Sequence, residues 1–505
     1  MATAAFDQSP KGPCLSGTRV KIPQELVSEV KDDRTRVVWL KGSPGKGKST
    51  IAKSLCIELR ADKIPVFSFF FNKDGGKAHT ASTEIFASTI ARQLARFSPD
   101  FNDALAALDL EQIVRIISKE EQLQQLVVTP ARKIKWPFRA VLVLDALDEC
   151  GDRRALEELM ELVRKLLQLP PAFAIFISCR PVDIVDRFLG DASAKHHSLD
   201  GSGDAEDIRL FVETSLLNIP DHSESGKWPP QCGRMDEFAD ACGGLFEIAS
   251  VRVRRVRDED ILSRIEIFDH ILSDRDPAPS LVKEYRRILK SAYTAKLVSD
   301  EKTRSREVAY KRYRLLVGVL ITTEEPMTPR SLSSLVNMEV YKIRDSLRQL
   351  SPIMEIRGDD DPFRFYHASS REFLLSDDKD PDPAFRSYPI SFNGAQHIEM
   401  LEHCLKNFEA SDYGKNRWRV HLWAIKAEEA PRAVAALKLF LEEGLMKWLE
   451  FMSSRVADGQ YFFFMHPRLF NCSRNSTEAL KAAFTWLIFQ EQDNTPYVTT
   501  SRRCP

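Results

Sequence analysis

Eight residues carry the clearest chemistry in the chain. Gly42 to Ser49 read GSPGKGKS and satisfy G-x-x-x-x-G-K-[ST], with the apolar run VVWL before them and a helix-forming stretch from Lys48 after them. Glycines in such a loop let successive backbone N–H groups curl around a phosphate, and the new helix adds the positive end of its dipole. Lys48 is then expected to reach the β- and γ-phosphates as a point charge, and the Ser49 hydroxyl to ligate Mg²⁺. Gly42, Ser43, Pro44, Gly45, Lys46, Gly47 and Thr50 complete the expected nucleotide contacts. The loop reads phosphates and not the base, so ATP and GTP stay open alternatives.

A phosphate loop calls for an acidic strand end elsewhere, and VLVLDALDEC supplies it. Asp145 ends the apolar run as the expected Mg²⁺ partner, direct or one shell removed. Asp148 and Glu149 follow within a turn. Either could orient or deprotonate an attacking water, or merely cap the next helix. In FISCRP, Arg180 ends a further apolar run on the same edge of the expected sheet, where open α/β sheets bind ligands. It is placed to sense a γ-phosphate; a surface ion pair is the alternative.

These residues need a scaffold, and the segments between them alternate. RVVWLKG, PVFSFFF, RAVLVLDAL and AFAIFISCR read as strands, separated by helices beginning at Lys48, about Ser82 and Arg153. Strands so uniformly apolar suit a parallel sheet covered on both faces. Phe86, Ile90, Leu94 and Phe97 recur at helical spacing and should pack on that sheet. The pattern breaks at LDGSGDAEDI, resumes as helices to about residue 300, and is interrupted by DHSESGKWPPQCG, a loop by its prolines and glycines. Helices over YKRYRLLVGVL, TPRSLSSLV and EVYKIRDSLRQL, then two alternating strands around GDDD, make a winged-helix pattern. After DDKDPDPAF the chain turns helical again, with Trp418, Trp423, Trp448 and Trp486 spread along it. The expected domains are 1–34 (lead-in), 35–200 (nucleotide-binding), 201–305 (helical), 306–380 (winged helix) and 381–505 (C-terminal helices).

Composition narrows the classes. The 72 Lys and Arg against 73 Asp and Glu leave no global field to draw nucleic acid or an acidic membrane. Lys342, Arg344 and Arg348 face Glu339 and Asp345, a weak electrostatic case for a recognition helix. Arg252, Arg254, Arg255 and Arg257 precede Asp258, Glu259 and Asp260, which predicts a solvated, salt-bridged helix face. Nine cysteines form no CxxC pair, which suits a reducing compartment. The longest aliphatic runs, such as LLVGVLI from Leu315, are far short of a membrane span, and a soluble cytoplasmic protein is expected. The sequons at Asn471 and Asn475 then read as chance matches. His397, His403 and Cys404 read as helix surface and core and not as a metal site.

Together the motifs resemble the NACHT branch of the signal transduction ATPases with numerous domains (STAND), an AAA+-like group. The likeness is greatest to fungal proteins related to heterokaryon incompatibility and to nephrocystin-like N-terminal domains. It rests on CLSGTR from Cys14, WLKGSPGKGKSTIA, FSFFFNKDGG, LVLDALDEC, FISCRP, ACGGLFEIAS from Ala241 and FYHASSREFLL, and covers about residues 14 to 380. It implies an α/β P-loop NTPase fold with helices on both faces of a parallel sheet, followed by a helical domain, a winged helix and a C-terminal helical region. It also implies a lead-in segment near the base of the nucleotide, and His367 as a contact to the β-phosphate of a resting ADP or GDP. An ordinary core histidine is the other reading of His367. Ser370 and Arg371 depart from the family pattern, which has Phe there. No effector domain is read in the roughly 35 residues before the first strand, nor a repeat array after the winged helix; either the irregular helical tail is the sensor, or the chain is a short or fragmentary member.

The function these readings predict is a switch that binds ATP or GTP with Mg²⁺ and hydrolyses it slowly. A triphosphate would open it and favour a homo-oligomer, in intracellular signalling or fungal non-self recognition and cell death. A hydrolysis-deficient scaffold, a small-molecule kinase and winged-helix transcription control are the competing classes. Effector and sensor partners stay open; neither membrane nor nucleic acid is expected.

Overall fold

The computed structural model describes residues 12–451, apart from 73–81, 109–117, 190–193, 202–203, 221–227, 259–260, 274–275, 277, 295–302, 324, 377–389, 391, 393–395, 426–429, 445–446 and 449–450. The chain divides into two compact units, Met1–Ser333 with Met338–Gln396, and Ser334–Asn337 with His397–Pro505.

In the first unit, β1 (Val37–Lys41), β2 (Val66–Phe70), β3 (Ala140–Asp145), β4 (Phe173–Cys179) and β5 (Ala194–Ser198) form one sheet in the order β2-β3-β4-β1-β5. Every pairing is parallel. The apolar sequence of the first four strands made them legible. AKHHS of β5 is polar and partly exposed, because it closes the sheet edge and pairs only with β1.

Alternation along the strands feeds two cores. Trp39, Phe69, Leu142, Leu144 and Ile175 pack with the helices Phe86–Phe97 and Arg153–Leu166. Val38, Leu40, Val143, Ala174 and Phe176 pack with Lys21–Lys31 and Lys48–Ala61. The expected stripe Phe86, Ile90 and Leu94 is buried, but Phe97 is 43% exposed. It caps the core edge to face with Phe67 and Phe138, 5.7 and 5.3 Å between ring centroids. In register, Leu40 lies opposite Ser178 and Leu144 opposite Ile177, which aligns the carboxyl ends of β1, β4 and β3.

Helices Ala205–Leu217, Cys232–Asp240, Phe246–Arg257, Ile261–Ser273 and Leu281–Leu289 follow. The predicted loop ends sooner than expected: Cys232 and Gly233 are already helical, and 221–227 lie outside the described residues. The arginine-rich helix is not simply a solvated face. Arg252 is 1% exposed and gives Nε and Nη2 to Glu284 Oε2 at 3.0 and 2.9 Å, with Nη1 on the Ala241 carbonyl. Arg287 also pairs with Glu284, at 2.8 Å. Arg257 alone matches the expectation, exposed beside Asp258. Apolar flanks pulled this arginine inward, and its charge is met by a carboxylate from the helix packed on it.

Helices Thr303–Thr322, Pro329–Val336 and Val340–Leu347 precede an antiparallel pair, β6 (Met354–Glu355) and β7 (Arg364–Phe365), and the helix Ala368–Leu375. The paired strands are two residues each, shorter than the alternation suggested. Arg330 and Arg344 pair with Asp360 and Asp359 of the connecting loop, and Lys342 with Glu339.

The second unit holds His397–Lys406, Asp412–Trp423 and Ala430–Glu443. Trp418 is buried against Phe440 and Trp448. His421 is fully buried; its Nδ1 meets Nδ1 of His397 at 3.0 Å and its Nε2 the Tyr413 hydroxyl at 2.9 Å. Burial, with His397 adding to it, lowers the pKa of His421 to about 4. Cys404 is buried with its thiol pushed up to about 12, and burial lowers the pKa of the partly buried His403. Trp486, Asn471 and Asn475 lie outside the described residues. Among the described residues no disulfide joins the seven cysteines, and no helix is long and apolar enough to cross a membrane.

Two expectations follow. Glu284→Ala strands Arg252 in the core and should cost about 3–5 kcal/mol, whereas Arg252→Met with Glu284→Leu should cost much less; urea unfolding of both variants decides between this and a dispensable pair. His421 takes up protons more readily unfolded than folded, so its contribution is complete above pH 6.5 and lost as pH falls toward 4. On the order of 3 kcal/mol is at stake. Chemical unfolding of the second unit, followed by Trp418 fluorescence from pH 7 to 4, should show a slope that His421→Asn flattens.

Candidate nucleotide site

The loop between β1 and the helix Lys48–Ala61 is built on left-handed glycines, with φ +79° at Gly45 and +83° at Gly47. At Gly45 a side chain would also collide, since a Cβ would stand 3.0 Å from that of Glu247. Lys48 folds over the loop, donating from Nζ to the carbonyls of Gly42 and Ser43 at 2.5 and 3.1 Å. Such bonds hold the ammonium at the loop whose phosphates it is expected to meet.

Pro44 to Thr50 line a cavity of about 450 Å³ together with Asp148, Glu149, Arg180 and His367. Four sequence motifs, up to 323 positions apart, thus converge on one space. Gly42, Ser43 and Asp145 are not among its lining residues. Gly42 packs on Leu199, and the Ser43 N–H is given to Asp200 at 3.0 Å. Asp145 is 2% exposed and accepts from the Ser178 hydroxyl, which in turn accepts the Ala146 N–H at 3.2 Å. Ala146 takes φ +56° and turns the chain into the short helix Leu147–Glu149. Ser49 and Asp145 are hard oxygen donors of the kind Mg²⁺ accepts alongside phosphate oxygens.

Arg180 leaves β4 and is fixed twice by Asp148, through its N–H at 3.0 Å and its Nε at 2.9 Å. Its Nη1 reaches Glu372 at 2.8 Å. Burial alone would lower the pKa of Arg180; the bond and charge of Glu372, then Asp148 and Glu149, carry it above the ordinary value. Asp148 thereby holds Arg180 with both carboxylate oxygens.

His367 caps the helix Ala368–Leu375 and accepts the Gly45 N–H on Nε2 at 3.2 Å. Its Nδ1 lies 2.6 Å from the Ser369 hydroxyl, itself 2.9 Å from the Tyr285 hydroxyl. A neutral ring that accepts on Nε2 carries its proton on Nδ1, which suits the Ser369 hydroxyl but not the Ser369 N–H that also lies 3.1 Å from Nδ1 in the helix cap. His367 is half-buried and in contact with the phosphate loop.

Sequence reading missed Asp204. Its carboxylate, 2% exposed, pairs with Arg19 at 2.7 Å and with Lys46 of the phosphate loop at 3.2 Å. Arg19 also lies 5.0 Å over the Phe246 ring, so the lead-in from Cys14, the loop and the helical segment share one anchor. Cys14 and Thr18 join Phe211 and Phe246 along the cavity wall. No motif surrounds Asp204; only its place after a glycine break hinted at a cap. Arg254 was read as surface, yet it bonds Glu247 and the Pro352 carbonyl and stacks 4.2 Å over Tyr366.

The first unit has an α/β P-loop NTPase fold. A family model described as nephrocystin 3, N-terminal, matches residues 23–180. No curated protein matches the chain. Among solved structures, the STAND protein with a tetratricopeptide repeat sensor from Pyrococcus horikoshii is 12% identical, with 96% of this chain and 57% of that one covered at a TM-score of 0.43. The chain thus spans little over half the length of that protein. The Aeropyrum pernix ORC1 protein in complex with DNA is 13% identical over 75% of this chain and 98% of its own, TM-score 0.37. A Walker-type ATPase of Pyrococcus abyssi is 12% identical over 73% and 99%, TM-score 0.34. These are distant likenesses, and the fold stands on the sheet order and the phosphate loop.

Asp204→Ala leaves Arg19 and Lys46 charged with their shared partner gone. A loss of about 3–5 kcal/mol is expected, with weaker nucleotide binding. A melting point and a nucleotide affinity both equal to those of the parent protein would refute the anchoring role.

Proposed function

We propose that this chain is a nucleotide-dependent switch of the STAND class, of the NACHT type with nephrocystin-like relatives. It binds ATP or GTP with Mg²⁺ and hydrolyses it slowly. The observation that supports this most is the bond from the Gly45 N–H to His367 Nε2, which joins a phosphate-loop peptide to a segment 322 residues further along. A plain NTPase has no need of a histidine delivered to its phosphate loop from so far. A switch does, because the loop is where the phosphate count is read.

In this reading the helices and hairpin of about 306–380 are a winged helix that covers the site with a diphosphate bound. Lys48 and the loop amides hold the phosphates, Ser49 and Asp145 serve the metal, and Glu149 orients the attacking water. Mg²⁺ would supply charge neutralisation across the β- and γ-oxygens. Arg180 registers the third phosphate, and loss of the His367 contact releases the winged helix to self-associate. Shifting such an equilibrium from 1:99 to 99:1 takes about 5.5 kcal/mol of differential binding. A signalling role in the cytoplasm, of the kind served in fungal non-self recognition and cell death, is the setting this proposal implies.

One observation favours a second reading, a hydrolysis-deficient scaffold. Both carboxylate oxygens of Asp148 are taken by Arg180, which removes one of the two candidate bases for the attacking water and leaves Glu149. Turnover abolished by Glu149→Gln with nucleotide still bound excludes the scaffold.

Light scattering tests the switch. The parent protein should be smaller with ADP than with a non-hydrolysable triphosphate, His367→Ala should be large with either, and Lys48→Ala should respond to neither. One size under all these conditions would sink the proposal.

A further inference from the structure

We infer that Glu372 makes the closed site select a nucleoside diphosphate over a triphosphate, by holding the Arg180 side chain that a third phosphate would need. This rests on the switch reading above and names the residue that sets its resting state. The guanidinium is already shared: Nε on Asp148 at 2.9 Å and Nη1 on Glu372 at 2.8 Å. Two carboxylates therefore surround one positive charge, and the charge of Glu149 also acts on it. A further phosphate brought to this spot meets a net negative neighbourhood, whereas a diphosphate on the loop amides and Lys48 need not reach Arg180.

The two carboxylates are unequal. The Asp148 side chain is 10% exposed and also takes the Arg180 backbone N–H, while that of Glu372 is 47% exposed and comes from another segment. Glu372 is the partner that can leave. It stands five residues after His367 on the helix Ala368–Leu375, so displacing it strains the same segment that holds Gly45. The γ-phosphate and Glu372 thus compete for one arginine, and the winner decides whether His367 stays on the loop. A carboxylate here acts as a positioning residue and as an internal surrogate for the third phosphate.

The test is a titration of purified full chain with ADP and with a non-hydrolysable ATP analogue, in Mg²⁺, for the parent, Glu372→Gln and Glu372→Asp. Expected for Glu372→Gln is a shift of about 10-fold in the affinity ratio toward the triphosphate, within the usual range of site coupling, with ADP affinity nearly unchanged. Glu372→Asp keeps the charge and should restore most of the parent ratio. The exposed site makes both substitutions compatible with folding, which melting curves check. An unchanged ratio in Glu372→Gln, with both nucleotides still bound through Lys48, overturns the role of Glu372 and leaves the switch standing. A parent protein that binds neither nucleotide, or binds them no better than Lys48→Ala, overturns both.

Discussion

A single residue, Gly45, is the point on which the candidate nucleotide site turns. Its N–H goes to His367 and its carbonyl accepts the N–H of Glu247 at 3.2 Å. The residue's backbone is left-handed and a Cβ there would crowd that of Glu247, so a side chain is strained where glycine is not. Through this residue the phosphate loop is bound at once to the helix Phe246–Arg257 and to the segment that begins at His367.

The sheet order decides what can meet at that point. β4 lies between β1 and β3, so its carboxyl end delivers Ser178 to Asp145 and Arg180 to Asp148 from a position between the loop and the acidic strand. Were β1 and β3 neighbours, Arg180 would stand to one side of both. The helix Phe246–Arg257 then acts as a strut, touching the loop at Glu247 and the hairpin at Arg254 through Tyr366 and Pro352. Arg252, sealed against Glu284, keeps that strut in place.

The motif residues were legible because their chemistry is local: a glycine-rich turn, an acid at a strand tip and an arginine at the next tip each announce themselves within ten residues. Four of five strands were legible for the same reason, since full burial in a parallel sheet forces an apolar run. β5 was not, because an edge strand has no such demand on its sequence. Asp204 and Glu372 were illegible for a different reason. Each is defined by a partner more than 150 positions away, Lys46 and Arg180 respectively, and a single acid among many carries no trace of that distance. Arg252 misled because a run of arginines ordinarily marks a wet surface, and only the helix packed on it shows that one of them is inside. The hairpin was found but overlong, as alternation continues past the point where backbone pairing stops.

The two ion pairs flanking the site sit in different media. Asp204 with Arg19 and Lys46 is sealed from water, while Glu372 with Arg180 faces it on one side. Mobile ions screen charges over about 8 Å at physiological strength, but only where they can enter. The foundation of the site is therefore indifferent to the ionic strength of its surroundings, and the clasp over it is not. Raised ionic strength therefore weakens the half-exposed pair of Glu372 with Arg180 while it largely spares the buried anchor of Asp204.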